Sequence, residues 1–574
     1  MSDRVSFSCD GAPVDVPIAA GETLLTVLRE RLGLVSVKDG CAPQGQCGCC
    51  TVLVDGEPRV ACVTPAARVE GRGVTTVDGL DPGVRDRLVD GFVACGGSQC
   101  GFCTPGIIVR AASLLEQGKT ARADIDRALA AHLCRCTGWL PIVDAIERAV
   151  APEAVAVARD LAAAARRAEM EGGVAQDVDR NVPRGAAGFA DDTAPRDALV
   201  AVPRAPGVST QSETAYGVDW VVGESLHAAR VAAGKVQGRR TTRSDPVALA
   251  VPDAPAGGVA LATGWVEPAY LEPDASWCAP GGEPASPLAN GGAFGGKAAS
   301  IAPAAARELA DRLARPVRVV LAREDTVRLG PKRAPVAATA RFGDGTVVVD
   351  GRVARGGEHA FADLPVAYGI DVESRWEPVD VVGPPVSDGL RAFGLAEQAV
   401  LVEGALTEAG VDRAAIATER AATVLLDTAV VAPSGACAGA RVAIDPERGH
   451  LTGVEVRVAA GDPLDETVLR SYCMGAVHMA LGWVLSESLA IDPVDGAPLD
   501  LTIRSFGVIR ARDLPAVTIE LVDDDGPPLA RASDAVFAAV AAATWNALTT
   551  AEGARPRAFP ARETRTARTL RQAL

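Results

Sequence analysis

Eight cysteines in two blocks constrain this chain more than any other feature of it. Cys41, Cys47, Cys50 and Cys62 lie in KDGCAPQGQCGCCTVLVDGEPRVAC, and Cys100, Cys103, Cys134 and Cys136 lie in QCGFCTPG and HLCRCTG. Each block supplies four thiolates, the ligand set of a [2Fe-2S] cluster. Such a centre also needs main-chain amides turned toward its sulfurs to stabilise the negative charge. Gly40, Gly45 and Gly48 suit that need, because the chain can bend there where a side chain would clash.

The first block departs by one residue from the plant-type spacing CxxxxCxxC, since five residues separate Cys41 from Cys47. Cys49 and Cys50 compete for the third ligand position. Cys50 keeps the CxxC interval from Cys47 and is the expected ligand, which leaves Cys49 as a spare thiol. Paired CxxC elements also read as zinc sites, but zinc modules rarely combine a Gly-studded loop with a CxC partner. Cys9, Cys95, Cys278, Cys437 and Cys473 read as small buried hydrophobes. The chain's five histidines include no metal-like pair, and His132, beside the CRC motif, is expected to cap or pack a helix end.

Fourteen cysteines with no basic, apolar leader in MSDRVSFSCDGAPVDVPIAA point to a reducing, cytoplasmic setting. No stretch approaches the roughly 20 apolar residues that span a bilayer, so no membrane association is expected. A formal net charge of −16 argues against a nucleic-acid partner, which would need a basic face.

With 574 residues the chain is expected to hold several domains. Residues 1–78 form a small mixed domain. VSFSCDG and VDVPI read as a hairpin, ETLLTVLRERLGL has helical spacing, and TVLVDGEPRVACV turns at Asp55-Gly56. Residues 79–150 turn helical, in VRDRLVDGFVACG, PGIIVRAASLLEQG, RADIDRALAAHL and PIVDAIERAV. Pro105 and Pro141 sit at helix starts, so the second cluster is expected to rest on helix ends. Residues 151–177 read as an Ala-rich helical linker.

CAPQGQCGCCTV, QCGFCTPG and CRCTG together resemble the two-cluster module of the xanthine dehydrogenase and aldehyde oxidase family, the molybdenum hydroxylases, across residues 1–150. The resemblance implies an α+β multidomain chain: a β-grasp, plant-ferredoxin-like domain, a four-helix [2Fe-2S] domain, then an α+β molybdopterin-binding-type domain at 178–574. It also implies that Gln99 and the backbone near Cys136 face the pterin of a molybdenum cofactor. Further matches follow in order: RGAAGFADDTAPRDALVAVPRAPG, GGAFGGK, ARPVRVVLAREDTV, GLRAFG, MGAVHMALGWVLSES and DGPPLARASDAVFAAVAAATWNAL. Gly292, Phe294 and Gly295 of the Gly-rich loop are candidate cofactor contacts. Arg391 and Phe393 are candidates to hold a planar substrate, and fit a surface ion pair and a core position equally well. The linker leaves no room for a flavin domain.

The departures from the family pattern carry as much weight. Where the family has a general-base glutamate in GEPP, this chain has Gly526 in Asp525-Gly526-Pro527-Pro528, so Asp523, Asp524 or Asp525 would have to substitute. Val266 stands for a metal-proximal glutamine, Ala298 for a glutamate, and the stretch from Leu271 to Gly291 is short. Two readings result. In the first, the chain is an oxidoreductase that passes electrons from a molybdopterin site through two [2Fe-2S] clusters to an external acceptor or FAD subunit. Its substrate would be a purine, an N-heterocycle or an aldehyde, and a homodimer is compatible with the family. In the second, the chain is an electron-transfer or scaffold subunit with an inactive molybdenum domain.

Overall fold

The computed structural model describes residues 4–150, 159–234, 248–362, 364–387, 389–390 and 392–573. The first part is a five-stranded sheet in the order Ala12–Pro17, Arg4–Cys9, Gly73–Thr75, Thr51–Val54, Glu57–Val60. Strand Arg4–Cys9 buries Val5, Phe7 and Cys9, the period-two pattern of a half-covered strand. Asp55 (φ 51°) and Gly56 (φ 80°) make the left-handed turn of the second hairpin. The expected helix is shorter and wider than its periodicity suggests. An α turn, Leu24–Thr26, passes into a π turn, Val27–Arg31, which buries Arg29 together with Val27 and Leu28.

Four helices follow, Pro82–Cys95, Thr104–Glu116, Arg122–Leu129 and Leu140–Val150. Asp81 caps the first through Val84 N (3.0 Å), and Cys103 is the N-cap of the second. Of the expected linker, 159–177 lies within the described residues. It does contain a helix, Leu161–Gly172, but this helix is docked instead of acting as a spacer. The helix Ala532–Glu552 begins after Arg531, whose side chain offers no cap, and the linker's buried Glu171 supplies the missing anion. Glu171 accepts from Ala532 N (3.0 Å), Ser533 N (3.0 Å) and Ser533 Oγ (2.6 Å), and is itself paired with Arg167.

The remainder builds two further five-stranded sheets and one of four strands. The sheet with Leu199–Pro203 at its centre packs on the helices Leu226–Ala233 and Ala302–Leu313, and the other two pack on three helices, Phe393–Glu408, Glu466–Leu485 and Ala532–Glu552. The rings of Phe393, Trp483 and Phe537 lock these helices together, with centroids 5.0–5.6 Å apart. Among the described residues, Glu466–Leu485 alone is long and apolar enough to cross a membrane, and 94% of its apolar window is buried in this core.

The ferredoxin-like part is tied to the rest by buried ion pairs. Arg29 reaches Asp191 (2.7 Å) and Asp192 (2.9 Å), Arg318 reaches Asp191 (2.8 Å) and Glu30 (3.2 Å), and Lys38 pairs with Asp192. Burial alone would raise the Asp191 carboxyl, but Arg318 and Arg29 hold it at about 2 against an ordinary 3.8. A depressed carboxylate contributes its stability fully above the unfolded value and loses it as pH falls through the folded one. Asp191 therefore contributes ~2–3 kcal/mol at neutral pH that disappears between about pH 4 and pH 2. Acid titration of Asp191→Asn should lack this step while wild type shows it, as read by near-ultraviolet circular dichroism.

Candidate functional site: two cysteine sets and an adjoining pocket

All eight motif cysteines are buried. In the first set Cys41 touches both Cys47 and Cys62, and Cys62 touches both Cys41 and Cys50. Cys49 touches Cys47 and directs its thiol toward Cys47 O at 3.9 Å. Four sulfurs thus run Cys47, Cys41, Cys62, Cys50, with Cys49 outside the run. Cys41 Sγ accepts from Gln46 N (3.3 Å) and Cys47 N (3.4 Å), and Cys50 Sγ accepts from Cys62 N (3.4 Å). Amide donors of this kind are what a cluster's sulfurs need. The extra residue of the first interval is absorbed in a turn closed by Gln44 N to Cys41 O (2.7 Å).

In the second set the Cys100 and Cys136 sulfurs are 3.5 Å apart, Cys103 touches Cys134, and Cys134 lies 3.3 Å from Thr137 Oγ1. The two loops meet directly, with Leu133 N donating to Cys47 O (2.9 Å). His132 packs on Gly48, where a Cβ would come within 2.5 Å of its ring, and its Nε2 is 3.3 Å from Thr51 Oγ1. Burial pushes this imidazole down to about 4, so it is neutral packing, as its place at a helix end suggested. Of the other cysteines, Cys9, Cys278, Cys437 and Cys473 are buried as expected. Cys95 is only half-buried, because it ends its helix beside the Gly96 cap.

Beside Cys136 lies a pocket that gathers four sequence-flagged segments. Phe294 comes from the Gly-rich loop, Ala392 and Phe393 from LRAFG, Gly475 and Met479 from MGAVHMALG, and Ser533, Asp534 and Phe537 from RASDAVF. Phe294 (φ 51°) and Ala392 (φ 69°) have left-handed backbones, a strain that concentrates at functional sites. Gly292 presses on the second set: a Cβ there would lie 2.9 Å from Cys100 Cβ and 3.2 Å from both the Cys100 and Cys136 sulfurs. Gly475 is tighter still, at 1.8 Å from Cys136 O.

Other candidate residues are placed differently. Gln99 is buried, but its amide donates to Cys136 O (3.0 Å) and Ser471 Oγ (3.0 Å), so both donors hold the cysteine loop to the Glu466–Leu485 helix. Gly295 makes the turn behind the loop and does not line the pocket. Phe393 is a core ring, 2% exposed, whose edge reaches the pocket. Arg391 lies outside the described residues. Asp523 and Asp525 are exposed, and Asp524 is engaged by Arg420 (2.6 Å) and Gly461 N (2.9 Å), so none of the three lines the pocket. Of the three, Asp524 fixes a turn. Asp534 was not singled out by sequence, and it is the carboxylate among the pocket's lining residues. Its only sequence signal was its place in the last matching segment.

The donor set partly suits a pterin. The helix Phe393–Glu408 starts at Ala392 with no side-chain cap, so its first amides face the pocket end, where they favour an anionic or carbonyl group. At about 40 Å³ the cavity holds a few waters, so a pterin requires wall side chains such as Phe294 and Met479 to move aside.

Comparison with known proteins agrees with this geometry. Residues 7–76 match the 2Fe-2S iron-sulfur cluster binding domain, 76–147 the [2Fe-2S] binding domain, and 392–515 the molybdopterin cofactor-binding domain. The aldehyde oxidoreductase of Megalodesulfovibrio gigas is 43% identical over 150 residues, which are 25% of this chain and 16% of that protein. The nicotine 6-hydroxylase small subunit of Paenarthrobacter nicotinovorans is 39% identical over 148 residues, 25% of this chain and 89% of the subunit. An Escherichia coli xanthine dehydrogenase iron-sulfur-binding subunit is 38% identical over 151 residues, 25% of this chain and 94% of the subunit. The solved aldehyde oxidoreductase from Desulfovibrio gigas superposes with a TM-score of 0.74 at 16% identity, covering 99% of this chain and 100% of that one. The fold and the cysteine sets define a two-cluster iron-sulfur protein joined to a molybdopterin-binding domain. The chain belongs to the xanthine dehydrogenase and aldehyde oxidoreductase family of molybdenum hydroxylases.

Proposed function

We propose that this chain is an oxidoreductase that carries electrons from its molybdopterin-binding domain, through a cluster on Cys100, Cys103, Cys134 and Cys136, to a cluster on Cys41, Cys47, Cys50 and Cys62, and out to an external acceptor. The observation that carries the reading is the pocket beside Cys136, where four motif segments meet at the edge of the second cysteine set. When bound there, the molybdenum cofactor supplies two-electron oxidation of a small molecule with water as the oxygen source. Phe294 offers a flat apolar face, and the uncapped amides at Phe393 orient an anionic or carbonyl group. Asp534 is the carboxylate placed to hold a proton at the pocket, in the role that Gly526 cannot fill.

The substrate is an aldehyde, purine or N-heterocycle, the acceptor is a redox protein or FAD subunit, and the setting is the cytoplasm. Homodimerisation fits the same reading. Metal analysis of the purified protein tests it, with iron expected near four per chain and molybdenum bound in proportion. Iron without molybdenum, after expression with the metal supplied, would remove the oxidative half and leave an electron-transfer subunit.

A further inference from the structure

Two buried guanidiniums stand behind the cysteine sets, and each is neutralised from the molybdopterin-binding side. Arg135 lies between Cys134 and Cys136 in sequence. Its Nη1 and Nη2 bond both oxygens of Glu487 (2.5 and 2.7 Å), and its Nε donates to Pro268 O (2.9 Å). Arg135 and Glu487 side chains are 2% and 1% exposed. Arg323 is paired with Glu267, at 3% and 1% exposure, and Lys332 stands 4.0 Å from the same carboxylate. Arg323 is followed by Glu324, whose Oε1 accepts from Gln44 Nε2 in the first cysteine loop (2.8 Å). Glu267 and Pro268 are consecutive, so one short segment grips both cations.

We propose that these pairs bias the two reduction potentials, each mainly that of its nearer cluster: Arg135–Glu487 that of the second cluster, and Arg323–Glu267 that of the first. A [2Fe-2S] centre on four thiolates gains one negative charge when it is reduced. A buried cation beside it favours the reduced form, and a carboxylate on that cation offsets the effect. Burial keeps solvent from screening either charge. The electron lost by the second cluster is the electron gained by the first, so the difference between the two potentials fixes the direction of transfer. Other charges near the second set, Glu272 with Lys297 (3.5 Å) beside Cys136, pair with each other and are left in place in the test.

The inference rests on the ligand assignment above, and iron content separates failure of the one from failure of the other. Redox titration of the holoprotein followed by electron paramagnetic resonance reads both clusters, with Cys50→Ser and Cys103→Ser variants assigning the signals. Glu487→Gln should make the second cluster easier to reduce by about tenfold at fixed potential, or about 59 mV for one electron, with the first moved less. Glu267→Gln should do the same to the first cluster with the second moved less. If both variants keep wild-type iron and neither potential moves, or both clusters move equally in each, the proposal is overturned. Arg135→Lys decides if Glu487→Gln loses iron. A charge-based role predicts a wild-type potential with lysine, and a shifted potential in fully loaded protein refutes it.

Discussion

Cys50→Ser should abolish the absorption and resonance signature of the first cluster, while Cys49→Ser leaves it largely intact. The two cysteines are adjacent and equally buried, at 2% and 1% exposure, so burial does not separate them. Their neighbours do. Cys50 closes the run of four sulfurs through Cys62 and accepts the Cys62 amide, whereas Cys49 hangs on Cys47 and points at a carbonyl. Serine at a ligand position replaces a soft thiolate with a poor iron donor. Iron per chain should fall by about half in the Cys50 variant, given two irons per cluster. The reverse pattern would move the ligand to Cys49. Loss of signal in both would mean that the loop needs both side chains to fold.

Gly475→Ala should dislodge the second cysteine loop from the helix beneath it. The added Cβ would stand 1.8 Å from Cys136 O, and both partners are backbone, so neither yields by rotating a side chain. Overpacking commonly costs ~1–3 kcal/mol and more where backbone must move. The upper end or beyond is expected here, with the second cluster lost or its spectrum altered and the first retained. Thermal unfolding together with iron analysis reads the outcome. A variant with wild-type stability and both clusters intact would show that the helix and loop can separate without consequence.

The iron-sulfur part was legible because its chemistry is local in sequence. A cluster loop gathers its ligands within a few residues, and the glycines, prolines and helix periodicities that frame it are also short-range. The widened turn at Val27–Arg31 was not legible, since Arg29 is drawn inward by Asp191 and Asp192, about 160 positions away. The linker was read as helical, and Leu161–Gly172 is a helix, but its docking was not legible. Its role depends on Glu171 meeting the start of a helix near residue 532, which no local pattern encodes.

In the second half, the matching segments indicated which pieces matter but not where they meet. Asp523, Asp524 and Asp525 were alternatives for a substitute base from their position near Gly526, and the fold spends Asp524 on Arg420. Asp534, with no such prompt, lies at the pocket.

Sequence by itself determined the two cysteine sets, the order of the domains and the family to which they belong, because ligand spacing is a property of neighbouring residues. Tertiary structure alone decided which sulfurs stand together, which carboxylate reaches the pocket, and that Arg135 and Arg323 are neutralised by Glu487 and Glu267. Those outcomes depend on side chains from tens to hundreds of positions apart being packed out of water, where buried charges must find partners.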